Sequence, residues 1–160
     1  MERIREDGMW AAHAGRQVVN LSARTQYACH AVLELALHYP TGQPVQLRRI
    51  AESHSIPARF LVQILQQLKA AGLITSTRGA TGGYRLTKPP CETTIGEVIA
   101  LVEGPRTPGF VGADRDTPVG RVLHDKWQEI AEVQAQLLQS TTFADLADQV
   151  QSETAPMYYI

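Results

Sequence analysis

The chain contains little cysteine: Cys29 and Cys91 are the only thiols among its 160 residues. Two thiols can close at most one disulfide bond, which excludes the disulfide-rich scaffolds of small secreted domains. The sequence also lacks an apolar run of the roughly 18 residues that a membrane helix needs. Its first twenty residues lack an apolar core of signal-peptide length. We therefore expect a cytoplasmic globular protein with an ordinary hydrophobic core.

The sequence shows no arrangement typical of a catalytic or metal site. No Ser-His-Asp or paired-carboxylate constellation stands out, and the five histidines do not follow a metal-ligand spacing. We therefore expect that the protein is not an enzyme and that it has no catalytic and no metal-ligating residues.

Acidic residues are scarce in one half of the chain, and basic residues are scarce in the other. Residues 21–90 hold eight basic and two acidic residues, a net charge of +6. Residues 91–160 hold four basic and eleven acidic residues, a net charge of −7. The charge of the whole chain, −1, hides this asymmetry. A basic half predicts a polyanionic partner for that half alone.

In the basic half, apolar spacing predicts three helices, over residues 23–39, 45–54 and 58–72. Two short strands follow, on either side of a glycine-rich tip in the segment AAGLITSTRGATGGYRL (residues 70–86). The stripe of the third helix that we expect to face inward consists of Phe60, Leu61, Ile64, Leu65 and Leu68.

In the acidic half, we expect a fourth helix over residues 93–104, a loop rich in proline and glycine, and a long helix from about residue 119 to 139. Thr142 and Asp145 have the spacing of a capping box, which predicts a last short helix that reaches Val150. The apolar stripe of the long helix is too extensive to leave in water, so it predicts a dimer interface. Its members are Leu123, Trp127, Ile130, Val133 and Leu137.

Three helices followed by a hairpin are the order of a winged helix-turn-helix, in which a short turn joins the second and third helices. Residues 54–57 would form that turn, and the glycine-rich tip would form the wing. Glycines let a wing approach a phosphate chain, and Arg78 at its base could reach the sugar-phosphate wall or the narrow minor groove. A nucleotide phosphate loop is disfavoured because no Lys-Ser/Thr pair follows Gly83. A structural hairpin without a ligand remains open.

Outward positions of the third helix are candidates for reading DNA bases. Arginine can pair with guanine and glutamine with adenine, and a valine methyl can contact a thymine methyl. Arginines on the second helix suit backbone phosphates. For each candidate, an ordinary solvated position remains the alternative. The candidates from this reasoning are Arg48, Arg49, Arg59, Val62, Gln63, Gln66, Arg78, Gly82 and Gly83.

Four segments together resemble the BadM/Rrf-type winged-helix transcription regulators. They are LSARTQYACHAVLELALHY, LRRIAESHSIPARFLVQILQQLKAAGLITSTRGATGGYRL, IGEVIALVEGP and TTFADLA, and they span residues 21 to about 148. The wing motif R-G-x-x-G-G-Y and the sequence VEGP rarely occur together elsewhere. The resemblance implies a mainly α fold and a homodimer paired through its long C-terminal helix. Such a two-fold dimer should bind an inverted-repeat operator in double-stranded DNA, as a repressor.

The resemblance implies roles for further residues. Arg24 occupies the segment of the family that contacts backbone phosphate, and Tyr84 completes the wing motif. Family members commonly have a polar residue, often Glu, at the position of Val62, so we expect a different base preference here. We accordingly divide the chain into an N-terminal extension (1–20), a winged helix-turn-helix (21–90), an effector region with the dimerisation helix (91–150) and a tail (151–160).

The resemblance does not extend to an iron–sulfur cluster. Cluster-binding members carry three closely spaced cysteines between the fourth helix and the dimer helix, where this chain has GPRTPGFVGADRDTPVG. Two distant cysteines cannot supply the usual four protein ligands. We therefore expect no cofactor, and we expect Cys29, which lies among small apolar residues, to be a buried and inert thiol.

The chain ends in the apolar tail APMYYI. A cluster-free family member that represses cysteine-metabolism genes has a similar Met-aromatic-Tyr-Ile end and acts with cysteine synthase. The resemblance implies a regulator of cysteine or sulfur metabolism whose Tyr158, Tyr159 and Ile160 dock into that enzyme. Packing of the tail on the long helix of its own dimer remains open. A protein-interaction module that no longer binds DNA is the alternative function.

Overall fold

The structure is a computed structural model that describes residues 21–104 and 116–155. It is mainly helical, as expected, with one antiparallel hairpin. In chain order the elements are α1 (Ala23–His38), α2 (Leu47–Ser53), α3 (Ala58–Ala70), β1 (Ile74–Thr77), β2 (Gly83–Leu86), α4 (Ile95–Glu103), α5 (Pro118–Ser140) and α6 (Phe143–Thr154). Within these residues, no helix is both long and apolar enough to span a membrane.

Side-chain caps fix where four of these helices begin. Ser22, Thr94, Thr117 and Thr142 each accept a hydrogen bond from a backbone N–H in the first turn of the helix that follows. Thr142 and Asp145 form the predicted capping box, and the hydrogen bonds from Thr142 lower the pKa of Asp145. Such a box satisfies two backbone donors that a helix start otherwise leaves unpaired.

One hydrophobic core joins helices from both halves of the sequence. Its contributors are the inward faces of α1 and α3, residues of the hairpin and the connecting segments, and a few residues of α2, α4 and α6. Its fully buried members include Val32, Leu35, Ile50, Leu61, Ile64, Leu65, Leu68, Val98 and Phe143. Because α1 contacts α3, α4 and α6, this core holds the recognition region and the α4 segment in a fixed relation.

Two sequence-based expectations are wrong in detail. The last helix, expected to reach Val150, continues to Thr154. Phe60, expected to face inward on α3, is 43% exposed. With 3.6 residues per turn, Phe60 lies about 90° from the centre of the stripe that Leu61, Ile64 and Leu65 form. It is therefore at the edge of the buried face, where water reaches it.

Helix α5 leaves most of its surface uncovered. Gly120 is the one buried residue along this helix. Its carboxyl end packs on α4, where Gly96 lies against Leu138 and Gln139. Leu138 is half-buried, and the other seven large apolar side chains of α5 are 48% to 71% exposed. These side chains are Val119, Val122, Leu123, Trp127, Ile130, Val133 and Leu137.

Candidate nucleic-acid interface

A strained turn sets the angle between α2 and α3. Among the residues that the structure describes, Ser55 is the one non-glycine with a positive φ, 52°. This conformation is costly for an L-residue. The next residue, Ile56, is buried, and its N–H donates to the Ala51 carbonyl over 2.9 Å. The packing of Ile56 therefore holds the turn in the form that a helix-turn-helix needs.

The outward face of α3 presents the predicted base-reading residues. Arg59, Val62, Gln63 and Gln66 are all exposed and lie within the first three turns of the helix. The amino-terminal residues of a recognition helix are those that reach base edges in the major groove. The four side chains therefore share one accessible surface that offers an arginine, two glutamines and the methyl groups of a valine to the bases.

Phe60 belongs to this surface as well, which the sequence argument missed. The guanidinium carbon of Arg59 lies 4.7 Å from the centre of the Phe60 ring. A cation–π contact of this kind stabilises an exposed arginine by about 0.5–1 kcal/mol. Measuring the angular position of Phe60 on the helix, rather than counting it as apolar, would have identified it.

The wing is tied to the start of α2. Val45 pairs with Tyr84 through two backbone hydrogen bonds of 2.9 and 2.8 Å, which form an isolated antiparallel bridge beside the hairpin. The Gln46 side chain donates to the Ala80 carbonyl at the wing tip over 3.0 Å. Arg78 is exposed at the base of the tip. These bonds fix the wing, and with it the Arg78 backbone, relative to the helix-turn-helix.

Two of the predicted wing residues have a packing role. Gly82 is buried, and a Cβ there would collide with the Thr77 carbonyl. Gly83 has a φ of 151°, and a Cβ there would lie 2.5 Å from the Val45 carbonyl oxygen. Glycine at these positions therefore lets the wing backbone pack closely against the Thr77 and Val45 backbones. That they also approach DNA, together with the half-buried Tyr84, stays a prediction.

The three arginines predicted to contact phosphate differ in their partners. Arg48 forms an exposed pair with Glu52, its Nε 2.7 Å from the carboxylate, and this hydrogen bond raises the pKa of Arg48. Arg49 lies 3.5 Å from the carboxylate of Glu34. Arg24 instead donates to the neutral Gln67 side chain over 2.9 Å. The pair of Arg48 with Glu52 is exposed on both sides and contributes little, so Arg48 can exchange its partner for phosphate.

A buried carboxylate connects α1 to the helix-turn-helix turn. Glu34 is 8% exposed, and its two oxygens lie 3.1 Å from His54 Nε2 and 3.6 Å from His38 Nδ1. The His30 and His54 rings stack with their centres 5.4 Å apart. Burial, and secondarily the charge of His54, lower the pKa of His30. The spacing of His30, Glu34 and His38 at every fourth residue places them on one helix face and could have indicated this cluster.

A comparison with known protein families identifies the family of this chain. Residues 21–149 match the Rrf2 family, whose description is "Iron-dependent Transcriptional regulator". The chain belongs to the Rrf2 family. The resemblance inferred from the sequence is thereby confirmed, and this Rrf2-family protein is a DNA-binding transcriptional regulator.

Individual relatives agree with this assignment. The chain is 36% identical over 143 residues to the HTH-type transcriptional regulator CymR of Bacillus subtilis strain 168. The match covers 89% of this chain and 100% of CymR. The solved structure of CymR, described as the global cysteine regulator of B. subtilis, superposes with a TM-score of 0.73 at 32% identity, over 82% of this chain and 98% of that one. The structure of T. potens IscR superposes with a TM-score of 0.72 at 28% identity, over 89% and 98%. These likenesses confirm the predicted winged-helix fold, and the relatives are named as regulators rather than as enzymes.

The family description implies iron, and the donor set of this Rrf2-family chain does not fit a cysteine-ligated cluster. The whole sequence has two thiols. Cys91 is exposed, whereas Cys29 is partly buried in α1, where burial raises its pKa to about 11. No group of three or more His, Cys, Asp or Glu side chains within residues 21–104 and 116–155 could hold a metal ion.

Three predicted functional segments of this Rrf2-family chain lie outside the described residues. They are the N-terminal extension (1–20), most of the loop before α5 (105–115) and the tail that carries Tyr158, Tyr159 and Ile160. The predicted roles of these segments stay predictions.

Proposed function

We propose that this Rrf2-family regulator is a homodimer that represses transcription by occupying an inverted-repeat operator. The observation that carries the proposal is the exposed outward face of α3, where Arg59, Gln63 and Gln66 project from a helix whose opposite face is buried. Arginine and glutamine are side chains that pair bidentately with guanine and adenine. The wing, with Arg78 at its base, supports a second contact on the same duplex.

The uncovered face of α5 supports the homodimer. Seven large apolar side chains on this face are at least 48% exposed within a single chain. Burial of a fully exposed side chain of this kind contributes about 1.5–3 kcal/mol, and roughly half to two thirds of that remains available at these partly exposed positions. A two-fold axis through this face would pair like residues of two α5 helices and give the dimer the symmetry of an inverted repeat.

The proposed signal is cysteine or sulfur supply, without a cysteine-ligated iron–sulfur cluster. The support for cysteine is the likeness to CymR, described as a global cysteine regulator. The support for the absence of a cluster is the count of two thiols. Protein purified without oxygen should therefore be colourless. A visible absorption band with stoichiometric iron would overturn this part of the proposal.

The proposed partner, besides DNA and a second copy, is cysteine synthase. Its support is the resemblance of the Met157–Ile160 end, with its two tyrosines, to family members that have a Met-aromatic-Tyr-Ile tail. The proposed location is the cytoplasm, where a regulator of this family meets its operator.

Selection of bound fragments from random DNA by the purified full chain tests the main proposal. We expect enrichment of an inverted repeat whose half-sites are separated by about one helical turn, ~34 Å, or a multiple of it. Retention on heparin should weaken steeply with salt. A chain that enriches no sequence and is not retained on heparin would instead be a protein-interaction module with a winged-helix fold.

A further inference from the structure

We propose that Gln67 is a positioning residue that holds Arg24 ready for a DNA phosphate and links it to the carboxyl end of α4. The inference rests on the proposed DNA-binding function and names a further residue for it. Arg24 Nη2 donates to Gln67 Oε1 over 2.9 Å. Gln67 Nε2 in turn donates to the Leu101 carbonyl over 2.7 Å, with the Val102 carbonyl at 3.4 Å. One amide therefore joins α1, α3 and α4.

The chemistry of the amide suits both tasks. The last carbonyls of a helix have no partner within the helix, so the end of α4 needs an external donor. Glutamine is a neutral side chain that offers both an acceptor oxygen and a donor nitrogen. A hydrophobic residue could do neither, and a carboxylate could not donate to Leu101.

The neutrality of Gln67 also distinguishes Arg24 from the other candidate phosphate contacts. Arg48 and Arg49 face the carboxylates of Glu52 and Glu34. Each of these arginines must leave a negative charge before it can pair with phosphate. Arg24 is oriented by an uncharged acceptor, so its full positive charge remains available to the duplex.

Two further hydrogen bonds connect the start of α1 to the end of α4. The Glu103 carboxylate, at the end of α4, accepts hydrogen bonds from Thr25 Oγ1 over 2.7 Å and from the Ser22 N–H over 3.1 Å. Ser22 caps α1, and Arg24 lies in its first turn. The first turn of α1 and the recognition helix are therefore both fastened to the last turn of α4. A shift of that turn would reach Arg24 through Gln67.

A double-mutant cycle on the full chain tests the inference. The probe is a random-sequence 30-base-pair duplex, whose binding depends on phosphate contacts. The proteins are the wild type, Arg24→Ala, Gln67→Met and the double variant, with Gln149→Met on the exposed surface of α6 as matched control. Methionine keeps the length of glutamine and removes both hydrogen bonds. Thermal unfolding of each variant measures any effect on stability separately.

We expect Arg24→Ala to weaken binding and to reduce the slope of log affinity against log salt by about one per chain. Gln67→Met should weaken binding about 3- to 10-fold, because the Arg24 side chain must then be ordered on binding. In the Arg24→Ala background, Gln67→Met should have no further effect on affinity. Gln149→Met should bind like the wild type.

The opposite outcomes separate the two proposals. If Gln67→Met weakens binding equally in both backgrounds, or not at all, the positioning role is wrong. If Arg24→Ala leaves affinity and salt slope unchanged while Arg78→Ala weakens binding, the inference fails and the DNA-binding function stands. If the wild type shows no salt-dependent affinity for the duplex, the proposed function itself fails.

Discussion

Residues that contact phosphate and residues that contact bases should give different mutant phenotypes. Arg78, at the base of the wing, is assigned to the sugar-phosphate wall or minor groove. Arg78→Ala should therefore weaken binding to all sequences and flatten the salt dependence. Gln63, on the outward face of α3, is assigned to a base edge. Gln63→Ala should cost about 1–3 kcal/mol at one operator base pair. Titration of operator and scrambled duplexes at several salt concentrations measures both effects.

The control for this comparison is Gln149→Ala, an exposed position on α6 that carries no assigned DNA contact. It should bind both duplexes like the wild type. If Arg78→Ala left the affinity unchanged, the wing would not be a DNA contact. If Gln63→Ala weakened all duplexes equally, Gln63 would not read a base.

The two thiols predict a simple reactivity pattern. Burial raises the pKa of Cys29 to about 11, so roughly one thiol in a thousand is ionised at pH 8. Cys91 is exposed. At pH 8 the native protein should react with a disulfide reagent at one thiol per chain, and at two after denaturation. Native Cys91→Ser should react hardly at all. Rapid reaction of the native Cys91→Ser variant would contradict an inert Cys29.

At the scale of single residues, the sequence predicted exposure well and partners poorly. Arg59, Gln63 and Gln66 are exposed as their helical positions required. Gln67 could not be recognised, because its partners Arg24 and Leu101 are 43 and 34 residues away. The contact between Arg49 and Glu34 was hidden for the same reason. Such pairs depend on how helices pack, which a local pattern does not contain.

At the scale of elements, the pairing of the wing with Val45 depends on glycine at position 83. Gly83→Ala should break the pairing of Val45 with Tyr84, because the new Cβ would lie 2.5 Å from the Val45 carbonyl oxygen. The positive φ of 151° adds strain, and we expect a loss of about 1–3 kcal/mol in the free energy of unfolding. DNA affinity should fall as well, since Arg78 loses its anchored framework. Urea unfolding and duplex titration measure the two effects.

Gly79→Ala separates strain from collision in this experiment. Gly79 also has a positive φ, 110°, but a Cβ there would have nothing within 4 Å. Gly79→Ala should therefore reduce the free energy of unfolding less than Gly83→Ala does, and it should keep the pairing of Val45 with Tyr84. Equal losses for the two variants would mean that backbone strain, and not the contact with Val45, explains the requirement for Gly83.

The elements themselves were largely readable from the sequence, because local signals set them. Ser22 and Thr142 marked helix starts, and the apolar period marked α1, α3 and α5. The bridge between Val45 and Tyr84 was not predictable, since a single residue pairs there and no periodicity accompanies it. The extension of α6 to Thr154 was missed because its last residues are polar and exposed on all sides.

At the scale of the whole molecule, the proposed homodimer predicts that DNA binding depends on the apolar face of α5. Ile130 is 48% exposed near the middle of this face. Ile130→Asp would place two unpaired carboxylates in the proposed apolar interface, which is strongly unfavourable. We expect the variant to sediment as a monomer at micromolar concentration and to lose most of its operator affinity. The wild type should sediment as a dimer.

Gln128→Asp is the matched control, because Gln128 is exposed on the opposite side of α5 and receives the same charge. It should remain a dimer and bind the operator. A monomeric wild type, or a dimeric Ile130→Asp variant, would exclude α5 as the interface.

The last prediction concerns the tail beyond α6. The segment before it, QSET, is polar, whereas the end carries Tyr158, Tyr159, Ile160 and a terminal carboxylate. An apolar end is costly to expose, so we expect it to be bound. The proposed partner is cysteine synthase, which would capture the carboxylate and the Ile160 side chain. The full chain should retain the enzyme in a pulldown, and a chain that ends at Ala155 should not. O-acetylserine, as competitor, should release the enzyme. If the tail instead packs on its own dimer, neither chain will capture the enzyme, and the shortened chain will unfold at a lower temperature. Equal capture by both chains would mean that the enzyme contacts another part of the protein.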